Sequence, residues 1–284
     1  MKISSLQKPS SNKLHYSILI TLGLLTTSFT NSQTQKVLTE NVVKNPSEAI
    51  FVYQDIENFV DAQQAIASGK DTSEALKSRY LDKASPGLKM FISKYDLTIE
   101  RLRRAIKNYS DDYSNVAEKL TALKNHEASY KEYYAKIKNV VPNAVFPPTY
   151  FVIAGHRGIG SGSTEGPLIS IEKKTIKSIK EMQGTLVHEM IHMQQLAATG
   201  EAYFAIFSGK ERTLLATSIR EGGATYMAEL IAGGSKHKNL ARDYYLANEN
   251  KFWEKFSKSI MAVTDYPGFL KLSRYAEKFI QKTD

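Results

Sequence analysis

"LVHEMIHMQQ" (Leu186–Gln195) sets three ionisable side chains, His188, Glu189 and His192, into a run whose other early members, Leu186, Val187, Met190, Ile191 and Met193, are apolar. Burying such groups is costly unless something compensates them. His188 and His192 are four residues apart, so on a helix their rings share one face, one turn apart. From there both reach a single tetrahedral ion at about 2.0–2.1 Å. Glu189 is displaced around the helix, beside the coordination position that protein ligands leave open, where its carboxylate can take a proton from water. The alternative is a core helix whose histidines are satisfied by hydrogen bonds. A His-Glu-x-x-His pattern inside an apolar helical segment that follows two strand-like runs favours Zn2+ as cofactor.

The motif helix is expected from Thr175 to about Ala198, closed by Gly200. A catalytic zinc usually keeps three protein ligands and one water. The metzincin continuation would put glycine and histidine where Gln195 and Ala198 stand, so that class is excluded. A carboxylate must come from elsewhere, and "SIREGGATYMAELIAGG" is the best source. There Glu221 adjoins Gly222, Gly223 and Ala224 in an amphipathic helix expected over Arg212–Ala232. Interior glycines cost about 1 kcal/mol each relative to alanine, and close packing on the motif helix would be a reason for them. Glu229 is the rival ligand; Glu201 and Glu211 fall in or near the connecting loop, and His237 reads as a surface residue.

Upstream, residues 49–140 have helical periodicity for four or five helices, with Val52, Ile56, Phe59, Val60 and Ile66 on one face and Gln63 as the polar exception. Ser85 and Pro86 mark a helix start. Phe59, Phe91, Tyr95 and Tyr133 are core by default. "PPTYFVIAG" (Pro147–Gly155) and "PLISIE" (Pro167–Glu172) read as strands, and "HRGIGSGSTEG" between them as a Gly/Ser loop. Pro167 suggests that the second is an edge strand, able to bind an extended peptide by adding it to the sheet. The last fifty residues read as helical, with Trp253, Phe256, Ile260, Phe269 and Ile280 as packing residues.

At the N-terminus, Lys2, Lys8, Lys13 and His15 precede the short apolar run "YSILITLGLL" and a small, polar stretch, the pattern of a secretory signal peptide cleaved after Ser32. The run is too short for a membrane span. The expected organisation is residues 1–32 as signal peptide, 33–145 as a helical region and 146–284 as a catalytic region continuous with 49–145. The fold class expected is mainly α (α+β) with a small antiparallel or mixed sheet, and the protein is expected in the periplasm or outside the cell. With no cysteine among 284 residues, disulfides and thiolate ligands are excluded and the fold rests on its core. The three lysines of residues 1–32 lower the formal charge from +9 to +6. So modest a charge, without a basic stripe, argues against a nucleic-acid partner.

"HEMIH" followed after 28 residues by "EGGATY" resembles the gluzincin metallopeptidases, and more closely a bacterial family of predicted zinc-dependent proteases related to a gliding-motility lipoprotein of Bacteroidetes. The resemblance takes in "YLDKASPGLKMFI", "TYFVIAG", "GPLISIE" and both helices, roughly Ile56 to Ile231. It implies a zincin-like fold with His188, His192 and Glu221 as zinc ligands and Glu189 as general base. It fades beyond Ile231, where "DYPGFLKLSRYAEKFIQKTD" replaces the Gly/Tyr-rich segment that such proteins carry. The activity expected is hydrolysis of a peptide bond by a zinc-activated water, with Tyr226 and His156 as candidates to steady the oxyanion. The rival readings are a non-catalytic zincin-like assembly protein of the envelope and a zinc hydrolase acting on a non-peptide amide.

Overall fold

A computed structural model describes Leu38 and residues 41–158, 160–172, 179–209, 212–233 and 240–260. The expected signal peptide, Glu211, His237, Phe269, Ile280 and the C-terminal stretch where the resemblance fades lie outside the described residues. The fold is mainly helical with a small four-stranded mixed sheet.

A strand stands where helical periodicity had placed Val52. Strand β1 (Phe51–Val52) pairs in parallel with Thr149 and Tyr150. The Phe51 ring packs 5.3 Å from that of Tyr130 and 5.5 Å from that of Tyr134. Helix α1 (Gln54–Ala67) then buries Ile56, Phe59, Ala62 and Ala65. Gln63, the polar residue on that stripe, donates to the Tyr113 carbonyl at 2.9 Å. Six further helices follow: α2 (Thr72–Leu76), extended by a π-helical turn at Lys77–Leu81, α3 (Pro86–Tyr95), α4 (Ile99–Asn108), α5 (Ser110–Tyr113), α6 (Val116–Asn125) and α7 (Glu127–Val140). The run thus divides more finely than the four or five helices expected. Helix α3 starts where Ser85-Pro86 predicts: Ser85 Oγ accepts from the Leu88 amide, and Pro86 occupies the first turn, where its missing N–H costs nothing. The Ser85 amide and hydroxyl both donate to the buried Asp55 carboxylate, which joins α3 to α1.

Strands β2 (Thr149–Val152), β3 (Gly160–Ser163) and β4 (Gly166–Ser170) complete the sheet in the order β1-β2-β4-β3. β2 runs parallel to β1 and β4, whereas β3 is antiparallel to β4. Two expectations are corrected here. The segment from Pro167 is not an edge: β4 is paired on both sides. Its pairing with β2 begins at Leu168, so Pro167 lies before that ladder and its missing N–H removes no bond from it. The edge is β3, formed by "GSGS" inside the expected loop. Such residues have low strand propensity, but here the absence of side chains is what admits the strand. A Cβ on Gly160 would come 2.7 Å from Glu189 Cγ, and one on Gly162 would come 2.8 Å from Met193 Cε.

These contacts belong to α8 (Ile179–Thr199), the motif helix, which packs on β3 and β4. Its apolar residues Leu186, Val187, Met190, Ile191 and Met193 are all buried. Gly200, in the left-handed region at φ 64°, follows its end. The second helical run divides into α9 (Leu214–Thr217), a π-helical turn at Ser218–Gly222 and α10 (Gly223–Ala232), with Gly233 at φ 76° after it. α11 (Leu240–Ala247) and α12 (Glu249–Ser259) follow. Trp253 does not pack in a core: it is 57% exposed and lies against Phe256. Among the described residues no helix is long and apolar enough to cross a membrane.

Gly87, in the first turn of α3, tests how closely α3 lies on the sheet. A Cβ there would come 2.6 Å from Cδ2 and 2.7 Å from Cδ1 of the buried Tyr150 ring. Helix propensity alone favours alanine by up to about 1 kcal/mol. The overlap reverses that sign, and Gly87→Ala is expected to cost about 1–3 kcal/mol in urea denaturation. A variant as stable as wild type would contradict this packing.

Candidate metal centre

The i,i+4 spacing on α8 does what the sequence requires of it. His188 Nε2 and His192 Nε2 stand 3.1 Å apart, with the two rings at 89°. Glu221, in the π-helical turn before α10, brings Oε2 to 3.5 Å from the first and 3.4 Å from the second. A π-helical turn re-aims side chains relative to a regular helix, and such turns recur at functional sites. Among the described residues, this is the one group of three His, Asp or Glu donors close enough to share an ion. Ligands held at 2.0–2.1 Å around a tetrahedral centre are separated by about 3.3–3.4 Å. The observed edges, 3.1, 3.4 and 3.5 Å, lie close to that spacing, and two imidazoles with one carboxylate are donor types that zinc takes.

The surroundings fix each donor. Arg220 grips the other oxygen of Glu221: its Nε donates to Oε1 at 2.9 Å, and Nη2 lies at 2.7 Å. The same guanidinium is anchored by Nη1 to the Phe207 carbonyl at 2.5 Å. Oε1 is thereby occupied and Oε2 left for the cluster. The neighbouring imidazoles of His188 and His192, together with Arg220, hold the Glu221 carboxyl far below the usual carboxylate range. Burial pulls the His192 imidazole down, but its bond to Glu221 and the Glu189 charge outweigh this, and its pKa is raised. Glu189 is 7% exposed and lies against Gly160 of β3. Burial raises its pKa, while His192, His188 and Lys94 oppose the rise.

β3 is itself pinned. Lys94 Nζ donates to Ser161 Oγ at 2.8 Å and to the Gly162 carbonyl at 3.3 Å, and Tyr95 OH meets the same hydroxyl at 2.9 Å. Gly160 and Gly162 can therefore face α8 while Ser161 is held by α3.

The other sequence candidates are not brought to the triangle. His156 adopts a left-handed backbone (φ 65°) and is drawn the other way. Its Nε2 meets Asp112 Oδ2 at 2.6 Å, its ring stacks on Tyr109 at 3.7 Å, and its amide donates to Glu172 Oε1. Tyr226 lies on α10, 48% exposed, without a hydrogen bond to the three donors. Glu229, two turns past Glu221, is outside the group, and Glu201 is exposed. Gly223 explains part of "EGGA", since a Cβ there would come 3.3 Å from Gln195 Nε2, whereas Gly222 has nothing within 4 Å.

Residues that sequence reasoning missed are Lys94, Gln195, Tyr203 and Arg220. Tyr203 is 8% exposed and its phenol is pushed up to about 12, by burial first, with Arg220 opposing and Glu221 and Glu189 adding to the rise. Its position in "GEAYFAIFSG" signals only a packing aromatic. Compared with known proteins, the chain matches no family model, no curated protein and no solved structure.

The triangle predicts one zinc per chain in purified protein. Glu221→Ala should weaken zinc binding far more than Glu229→Ala, read by chelator competition and elemental analysis. The opposite ranking would move the ligand two turns along the helix.

Proposed function

We propose that this chain is a zinc-dependent peptidase in which His188, His192 and Glu221 hold the metal and Glu189 serves as general base. The observation that carries the reading is the donor triangle with a second, buried carboxylate, Glu189, on the helix of its two histidines. A bound zinc would supply Lewis acidity, polarising a carbonyl and acidifying water. The chain's own part is positional. Glu189 has no role as a ligand in this arrangement, so its carboxylate oxygens are free to accept a proton from water and pass it to a leaving amine. The close seat against Gly160 fixes where that carboxylate stands, since any Cβ on the strand would displace it.

A peptide is the substrate class the sheet supports best. β3 ends the sheet, runs along α8 beside Glu189 and His192, and presents an outer edge that an extended chain can join by main-chain hydrogen bonds. Tyr203, buried and near enough to feel the charges of Glu189 and Glu221, replaces His156, which is held by Asp112, as the candidate to assist at a developing oxyanion.

Glu189→Gln separates this reading from a non-catalytic envelope protein. Glutamine keeps size and shape but cannot act as a base, and position 189 holds no metal here. Zinc content and melting temperature should be retained while peptide hydrolysis falls by about 10²–10⁴. A wild type that cleaves nothing in a broad peptide screen, together with full complementation of a deletion strain by the variant, would end the peptidase reading.

A further inference from the structure

We propose that Gln195 is the positioning residue that assembles the donor triangle, fixing the tautomer of His192 and tying it to the turn that carries Glu221. The inference deepens the zinc reading and rests on it. The argument begins at the amide nitrogen. Gln195 Nε2 lies 3.0 Å from the Arg220 carbonyl and 3.3 Å from the Ile219 carbonyl. Carbonyl oxygens only accept, so this end of the side chain must be the NH2, and both its hydrogens are spoken for. The opposite end is then Oε1, an acceptor, and it lies 2.8 Å from His192 Nδ1. An acceptor there requires the proton on Nδ1. In the neutral ring His192 Nε2 is then left with its lone pair toward His188 and Glu221, the form in which imidazole ligates a metal.

One side chain therefore does two jobs. It sets the ligating nitrogen of His192, and it clasps the π-helical turn at Ser218–Gly222 against α8, so that Glu221 arrives at 3.4 Å from the nitrogen whose tautomer Gln195 has set. Gly223 follows from the same clasp: its missing Cβ leaves room for Gln195 Nε2, which would otherwise be crowded at 3.3 Å. Arg220 completes the turn from the other side by occupying Glu221 Oε1. The neighbouring Gln194 supplies a control. It is buried in α8, where Gln195 is half-buried, and the Gln194 amide clasps the backbone N–H and carbonyl of Val145, away from the donors.

The test compares wild type, Gln195→Met, Gln195→Glu and Gln194→Met for zinc affinity by chelator competition. The same proteins, zinc-free, are examined for melting temperature and for the His192 tautomer by 15N-correlated NMR. Gln195→Met should lose about 10- to 100-fold in zinc affinity and lose the fixed Nδ1–H form. Gln195→Glu keeps an acceptor for Nδ1 but no donor for the carbonyls, so it should keep the tautomer and still bind zinc less tightly. Gln194→Met should lower the melting temperature and leave zinc affinity at the wild-type level. Undiminished affinity in Gln195→Met, or an equal loss in Gln194→Met, overturns the proposal while leaving a zinc-binding wild type intact. A wild type that binds no zinc overturns the zinc reading instead. The tautomer, read without metal, then judges Gln195 by itself.

Discussion

Two imidazole nitrogens 3.1 Å apart, both turned to one carboxylate oxygen, form a point that calls for positive charge, from protons or from a cation. Much of the surrounding fold answers that need. α8 must present His188 and His192 on one face, so it must be regular there. The segment from Leu214 to Ala232 must pass close enough to deliver Glu221, so it carries a π-helical turn and a glycine at the contact. Arg220 must hold the far oxygen, so its guanidinium is anchored on the Phe207 carbonyl. A cation at the centre would relieve the burial cost that "LVHEMIHMQQ" raises.

The second constraint is the closeness of β3 to α8. A strand laid across a helix at Glu189 and Met193 leaves no room for Cβ atoms at Gly160 and Gly162. The strand therefore has no side chains on that face to hold it, and Lys94 and Tyr95 secure it through Ser161 on the other. The helical half of the chain thus has a direct bearing on the site. α3 fixes the strand that limits where Glu189 stands, and α3 is in turn fixed to α1 through Asp55 and to the sheet through the approach of Gly87 to Tyr150.

How much of this was legible in the sequence follows from the range of each interaction. The i,i+4 histidines and the Ser85-Pro86 start are local, and their spacing states the geometry outright. Glu221 was legible because glycines within a helix demand a close neighbour; Gly223 has one, and Gly222 does not. β1 escaped notice because two residues are too few to show a period, and Val52 fits a helical stripe equally well. β3 escaped because glycine and serine signal a loop unless the helix facing them is known. Pro167 misled for a related reason, since a proline before the start of one ladder looks the same in sequence as a proline at a sheet edge. Gln195 was read only as a departure from the metzincin pattern. The two carbonyls its amide nitrogen reaches lie 24 and 25 residues away, and only tertiary contact reveals them.

The central claim is that His188, His192 and Glu221 are the ligands of one zinc ion. Zinc-edge X-ray absorption on the purified protein tests it most directly, because it reads the ligand types without reference to activity. The account predicts a nitrogen/oxygen shell at about 2.0–2.1 Å with outer-shell scattering from two imidazoles, reduced to one imidazole in His188→Ala. An oxygen-only shell without imidazole scattering, or a spectrum unchanged in His188→Ala, would contradict it.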